Sequence, residues 1–258
     1  LKTEESVEEK RGFFRKAYDF STTWTGAIII VLFVISFIAQ SFVIPSGSMI
    51  RTLLIGDYLF VKKFEYGTPT PHIPWLEVPI IPGVGLNLIE GDRPERGDIV
   101  VFRKPGEEKV HFVKRCVATG GDMVMMRDKK LYIRPHQGDP FIKANYPSNK
   151  IKEIDDRLWV ENPYREKHRG IQNDPEVVNN GYWPKELFNF DPIRVKEDHF
   201  YMVGDNRDHS NDSRFWGSVP YENVEGTPWL IYFSIDQETL EIRWDRMFRT
   251  ITDLEGDL

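Results

Sequence analysis

The sequence predicts a mainly β protein preceded by one N-terminal transmembrane α-helix. Three observations point there. An uncharged run of 21 residues, Trp24 to Ile44, is long enough to cross a bilayer. Short strand-like runs bounded by Gly, Asn and Asp recur over the rest of the chain. No long helical periodicity follows the apolar run. The composition of the 258 residues agrees: 40% apolar and 29% charged residues exclude disorder as the main state. With 34 basic against 40 acidic residues the net charge is −6, which argues against a non-specific nucleic-acid binder. The single cysteine, Cys116, excludes an internal disulfide and argues against Cys-based zinc sites. A mean hydropathy of −0.43 excludes a polytopic membrane protein but leaves room for one anchor.

Taken in order, residues 1–23 read as a cytoplasmic N-terminal segment. Lys10, Arg11, Arg15 and Lys16 precede the span closely, whereas only Arg51 lies between Pro45 and Phe60. The positive-inside rule then places residues 45–258 outside. Phe13, Phe14, Tyr18, Phe20 and Trp24 suit the cytoplasmic interface. For residues 24–44, a buried core helix would be shorter and keep a polar face. Ala39-Gln40-Ser41 mimics a signal-peptide cleavage site, but the apolar run exceeds a cleavable h-region, which favours an anchor. Strands are expected at Tyr58–Val61, Asp98–Phe102, Val110–Val117, Met123–Met126, Lys130–Ile133, Phe200–Val203, Trp229–Ile235 and Leu240–Trp244. Residues 139–198 are polar and rich in Asn and Pro, so a β core over 45–128 and 199–258 is expected to be interrupted by a cap over 129–198. Thr68–Leu86 is unusual: Pro69, Pro71, Pro74, Pro79 and Pro82 exclude a regular helix, and Trp75 with its apolar neighbours must be hidden, against the β core or against the outer leaflet.

Three blocks carry chemistry. In Pro45-Ser46-Gly47-Ser48-Met49, the Ser-Gly-Ser run alone reads as a turn. Its position says more: Ser48 lies at most about 14 Å of chain beyond Ile44, at the outer membrane surface. In Val110–Val117, strand alternation puts Val110, Phe112, Lys114 and Cys116 on one face, apolar apart from the lysine. On an edge strand Lys114 would snorkel to water. Desolvated, its pKa would fall; a shift of two units costs about 2.7 kcal/mol, and the neutral amine could take a serine proton. The block Gly204–Gly217 is rich in turn-forming Asp, Asn and Ser. Asp205, Asp208 and Asp212 lack the EF-hand pattern, so no metal is expected. His111 and His209 stand as alternative bases.

Together the three blocks resemble the conserved boxes of bacterial type I signal peptidases, membrane-anchored Ser-Lys proteases. Residues 41–66, read on to Gly67, match the box at the membrane exit. Residues 96–122 match the lysine box, and residues 204–217 the GDNRDxSxDSRxWG box. The resemblance implies a signal-peptidase-like β core in which residues 129–198 are non-catalytic. It implies Ser48 as nucleophile and Lys114 as general base. Ser46 would donate to the oxyanion beside the Ser48 amide, and Ser210 would orient the lysine. Asp212 and Arg214 would form a supporting ion pair, and Ile44, Met49 and Leu53 would wall shallow pockets for small side chains. The implied substrates are signal peptides of secreted preproteins, cut after small residues at −1 and −3 without metal or other cofactor. The implied setting is the bacterial inner (cytoplasmic) membrane, with the lipid bilayer as partner, no nucleic acid, and secretion machinery left open. Many Gram-negative members have two transmembrane segments, and this sequence shows one. A self-cleaving Ser-Lys regulator of the phage-repressor type resembles the same β core; the anchor and the lack of a basic helix-turn-helix count against it. A non-enzymatic anchored assembly protein is opposed by the presence of both Ser48 and Lys114.

Overall fold

The computed structural model describes residues 12, 15, 18–33, 39–69, 72–73, 78–79 and 87–258. The first described element of any length is helix α1 (Trp24–Phe33). No described helix is long and apolar enough to cross a membrane. Residues 39–43, expected inside the span, instead form strand β1 (Ala39–Val43), paired antiparallel with β2 (Asp57–Lys62). A strand satisfies its backbone only through a neighbour, so this segment belongs to the sheet rather than to a helix ending at Ile44.

The chain continues through β3 (Gly67–Pro69), β4 (His72–Ile73), β5 (Val78–Pro79), β6 (Asn87–Glu90), β7 (Ile99–Lys104) and β8 (Glu107–Thr119). β3 pairs with β6 and β4 with β5, two small ladders in which prolines are tolerated. The side chains on which membrane contact by Thr68–Leu86 was expected, Trp75 among them, lie outside the described residues. Next come β9 (Met123–Arg127), β10 (Lys130–Arg134), helix α2 (Asp139–Asn145), β11 (Ile151–Ile154), β12 (Arg157–Glu161) and β13 (Phe190–Arg194). The chain closes with β14 (His199–Val203), α3 (Ser213–Trp216), β15 (Val219–Pro220), β16 (Val224–Ser234), β17 (Arg249–Thr250) and α4 (Ile251–Gly256).

These strands make two main antiparallel sheets. The larger runs β1-β2-β16-β7-β8-β14-β15, with β17 added to β16. The smaller runs β11-β12-β10-β9-β13. The cap expected over 129–198 is thus a sheet of its own, but it starts earlier, at Met123. Asp128 and Lys129 join β9 to β10 with φ of 49° and 62°, the paired left-handed conformation of a two-residue hairpin turn. A boundary at 128/129 would cut that turn and strip β10 of its partner. Leu240–Trp244 is not a strand; only an isolated bridge joins Ile235 to Ile242, and Trp244–Arg246 turn as a 3-10 helix.

Both faces of the central strands are covered. Val117, Ala118, Tyr201 and Val203 pack with Val124, Met126, Leu131 and Ile133 of the cap sheet. On another side Val100, Phe102, Cys116, Phe200 and Met202 form a second cluster, against which Phe112 and Trp216 pack. A third cluster joins Ile44, Met49 and Leu53 to Val61, Val101 and Ile231. Burial raises the Cys116 thiol well above its ordinary pKa, so the one cysteine is an inert core residue.

Candidate active site

β1 and β2 form a hairpin, and the connection between them carries Ser46 and Ser48. Its ends are held by Ile44 N–H on Asp57 O at 2.9 Å and Gly56 N–H on Ile44 O at 3.0 Å. Gly47–Met49 make one 3-10 turn with extended Ser46 as its cap, which leaves Ser48 buried at 8% exposure. The segment following β14 clamps this turn. Asn206 donates from its backbone to Ser48 O and from Nδ2 to Gly47 O, both at 3.0 Å. The approach is close enough to require glycine at 204: a Cβ there would lie 2.6 Å from Ser48 O and 2.3 Å from Ser210 Oγ.

Lys114 arrives from β8. Its side chain is 3% exposed, and Nζ lies 2.7 Å from Ser48 Oγ and 2.8 Å from Val113 O. Nζ also stands 4.8 Å over the Phe112 ring. The lysine does not snorkel, because the sheet continues on both sides of β8 at Arg115 while Phe112 and the Ser48 turn cover the amine. Burial lowers the Lys114 pKa to about 8, against the pull of Asp212 and Asp205, which raise it. The consequence for pH is direct. If Lys114 is the base that takes the serine proton it must be neutral, and kcat/KM is then expected to rise with pH, with a midpoint near pH 8 and a plateau above. A pH profile on a peptide substrate checks this; a midpoint near 10.5 would mean a solvated lysine, and a limb near 6.5 that His111→Ala or His209→Ala removes would mean a histidine base.

The remaining expected residues fall around this pair. Ser46 Oγ is 3.5 Å from Ser48 Oγ. Asp212 and Arg214 form a fully buried bidentate pair, with both bonds at 2.8 Å, and Asp212 also accepts from Gly204 N–H at 3.0 Å. Burial pushes the Asp212 carboxyl up, but Arg214 outweighs it and holds the group below its ordinary value. The Ser210 hydroxyl is buried next to Gly204 and against the Asp212 carboxyl, which it helps to hold low, and no bond joins it to Lys114 among the described residues. Ile44 and Met49 line a cleft of about 620 Å³ together with Val113, whereas Leu53 is fully buried in the core behind them and lines no part of it. His111 is turned to Glu225 at 3.2 Å and His209 to Asp174 at 2.8 Å, so neither ring is bonded to Ser48. Each carboxylate of the 204–217 block is taken by a cation: Asp205 by Arg115, Asp208 by Lys129 and Asp212 by Arg214.

Two features escaped the sequence reading. One is the fully buried pair Arg115–Asp205, joined at 2.8 and 2.7 Å, with Thr52 Oγ1 donating to Asp205 at 2.7 Å and Glu255 bonded to Arg115. The available signal was Arg115 alternating with Lys114 on β8, facing the opposite way. The other is Asn206, whose place in a turn-forming run concealed its grip on the Ser48 loop.

The family model described as signal peptidase, peptidase S26, matches residues 18–233. A signal peptidase I of Helicobacter pylori is 43% identical, with 94% of this chain and 96% of that protein covered. One from Aquifex aeolicus is 33% identical over 80% of each. A crystal structure of a signal peptidase I from Enterococcus faecalis aligns with 53% of this chain and 97% of that one at 24% identity, but its TM-score of 0.33 is too low to carry argument. The match of the family model over most of the chain, together with relatives this similar over most of their length, means that the chain belongs to the peptidase S26 signal peptidase family.

Proposed function

We propose that the protein is a membrane-anchored serine endopeptidase that uses a Ser48–Lys114 dyad to cleave signal peptides from exported preproteins. The observation that carries this reading is the 2.7 Å contact between Lys114 Nζ and Ser48 Oγ at the end of an apolar cleft. One wall of the cleft is residues 41–46 and the other is residues 109–114 of β8. β14 pairs with β8 only from Arg115 onward, so no described strand pairs with that edge of β8 over residues 109–114. An extended substrate can add there as a further strand and bring its scissile carbonyl to Ser48.

Neutral Lys114 accepts the Ser48 proton as Oγ attacks the carbonyl carbon of the residue at −1. The Ser46 hydroxyl and the Ser48 amide stabilise the oxyanion, a contact worth roughly 3–4 kcal/mol. Lys114 then passes its proton to the departing amine, and the same base draws a proton from the water that hydrolyses the ester. Ser210, packed against Gly204, is the hydroxyl assigned to orient the lysine during the reaction. Asp212 and Arg214 hold the segment that supports it.

Specificity follows from the walls. Ile44 and Met49 are 4% and 1% exposed and belong to a close-packed cluster, so a large side chain at −1 must displace core atoms. Overpacking costs about 1–3 kcal/mol, or about 5- to 150-fold in rate. Peptides with Ala, Leu and Phe at −1 should therefore be cleaved in that order of decreasing kcat/KM, and equal turnover of Ala and Phe would refute the pocket assignment.

The anchoring part of the proposal rests on the uncharged run Trp24–Ile44, shortened at its end by β1, and on the basic residues before it. It also draws on the sheet face next to β1, where Tyr58, Phe60, Tyr232 and Phe233 form a chain of ring contacts beside the exposed Trp229. Aromatic residues of this kind suit a bilayer interface. The proposed location is the bacterial inner membrane, N-terminus in the cytoplasm and β domain on the periplasmic face. The deciding experiment incubates the full chain in detergent with a preprotein and locates the new N-terminus by mass spectrometry. A cut after small residues at −1 and −3, lost in Ser48→Ala, is the expected result; an intact preprotein overturns the proposal.

A further inference from the structure

A separate groove of about 460 Å³ is lined by Trp183, Pro184, Leu187, His209, Ser210 and Phe215. None of these lines the cleft that holds Ser48 and Lys114. One layer of buried side chains separates the groove from the dyad. Ser210 fills the space that a side chain on Gly204 would occupy, and that same space touches Ser48 O. From the lysine, Phe112 lies under Nζ at 4.8 Å and meets Trp216 at 6.3 Å between ring centres; the next residue back, Phe215, is 41% exposed on the groove wall.

A peptide substrate has two sides. The cleft between residues 41–46 and β8 takes the part before the scissile bond and ends at Ser48. The chain after the bond must leave past Ser48, and the groove residue Ser210 packs against Gly204, the same position that Ser48 O approaches. The chemistry of the groove is apolar. Trp183, Leu187 and Phe215 supply the walls, and Tyr182 stacks edge-on to Trp183 at 5.6 Å while remaining 83% exposed. The charge at its base is already spent: Asp208 is 2.8 Å from Lys129 and accepts from Asn173 Nδ2 and the Asp174 amide. His209 is held against Trp183 by its bond to Asp174. A groove with apolar walls and a neutralised floor selects an apolar partner rather than a charged one.

We propose that this groove is the mature-side subsite, which receives an apolar or aromatic side chain from the first few residues after the cleavage point. The inference rests on the reading of Ser48 and Lys114 as a peptidase dyad. The test uses the full chain in detergent and peptides identical before the bond. One peptide ends two residues after the bond. A second extends six residues further in Gly and Ser. A third set carries one Leu or Phe at successive positions of that extension. The wild-type protein is expected to cleave the best apolar extension about 10-fold faster in kcat/KM than the Gly/Ser one. Trp183→Ala and Phe215→Ala should each remove that advantage while the shortest peptide is cut at the wild-type rate. The proposal is overturned if the wild-type protein shows no preference, if the preference survives both substitutions, or if the substitutions slow all peptides equally. Cleavage of the shortest peptide, lost in Ser48→Ala, tests the dyad separately in the same assay, so a failure of the groove is not mistaken for a failure of the enzyme.

Discussion

Ser48→Ala and Lys114→Ala are each expected to lower kcat/KM by about 10⁴-fold or more, and the double variant to be no worse than either alone. The reason is the single 2.7 Å contact through which, in the proposed mechanism, both residues act. Without the hydroxyl there is no acyl acceptor, and without the amine the hydroxyl keeps its proton. Removing the second group then removes nothing further, whereas independent contributions would multiply. A loss of 10⁴ corresponds to about 5.5 kcal/mol of transition-state stabilisation. Peptide cleavage rates with thermal melts of the same samples check this. Lys114→Met is the cleanest partner variant, because it fills a buried site with an unbranched apolar chain and should keep the fold while losing the reaction. Activity near wild type in either single variant would remove the dyad from the mechanism.

Arg115→Met is expected to destabilise the fold by about 3–5 kcal/mol, the usual loss when one member of a buried ion pair is removed. Arg115 and Asp205 are both fully buried, and the substitution would leave the Asp205 carboxylate with only the Thr52 hydroxyl as side-chain donor. In the native protein burial pushes the Asp205 carboxyl up, and Arg115 brings it below the ordinary value. That group therefore contributes stability above its unfolded pKa, which is lost as pH falls through the folded value. In the variant the folded pKa rises above the unfolded one, so the sign reverses and the deficit should shrink as the solution is acidified from neutral. Urea melts across pH measure both the size and the sign. Arg115→Met with Asp205→Asn should recover much of the loss, since no unpaired charge remains buried. A single-variant loss under about 1 kcal/mol would contradict the burial on which the expectation rests. Activity should suffer as well, because Asp205 adjoins Asn206, which holds the Ser48 carbonyl.

Much of this was readable in advance because the local rules and the tertiary outcome agree. β2, β7 and β8 were visible as alternating or apolar runs between turn residues, and the structure extends each by only a few positions. The mainly β class and the family followed from those runs and from the three blocks. β1 was misread because Ala39–Val43 carry no charge and directly continue an apolar run, a pattern that suits the end of an anchor and a sheet equally. Only its ladder with β2 separates the two, and pairing is a non-local fact. The cap boundary was misplaced for the same reason, since Asp128-Lys129 gains meaning as a turn only once β9 and β10 are paired.

What the sequence by itself determined is the inventory: a hydroxyl just after an apolar run, a lysine on an apolar strand face, and a carboxylate-rich block whose order matches one family. Tertiary structure decided the environment. Lys114 is desolvated because Phe112 and the Ser48 turn lie over its amine. Arg115, one residue away, stays charged because the opposite face brings it Asp205 and Glu255. Two adjacent cations are thus pushed in opposite directions, one toward a base and one toward a fixed ion pair. Alternation along a strand is written in the sequence, but the dielectric and the partners on each face come from strands far away in the chain, and those set the pKa.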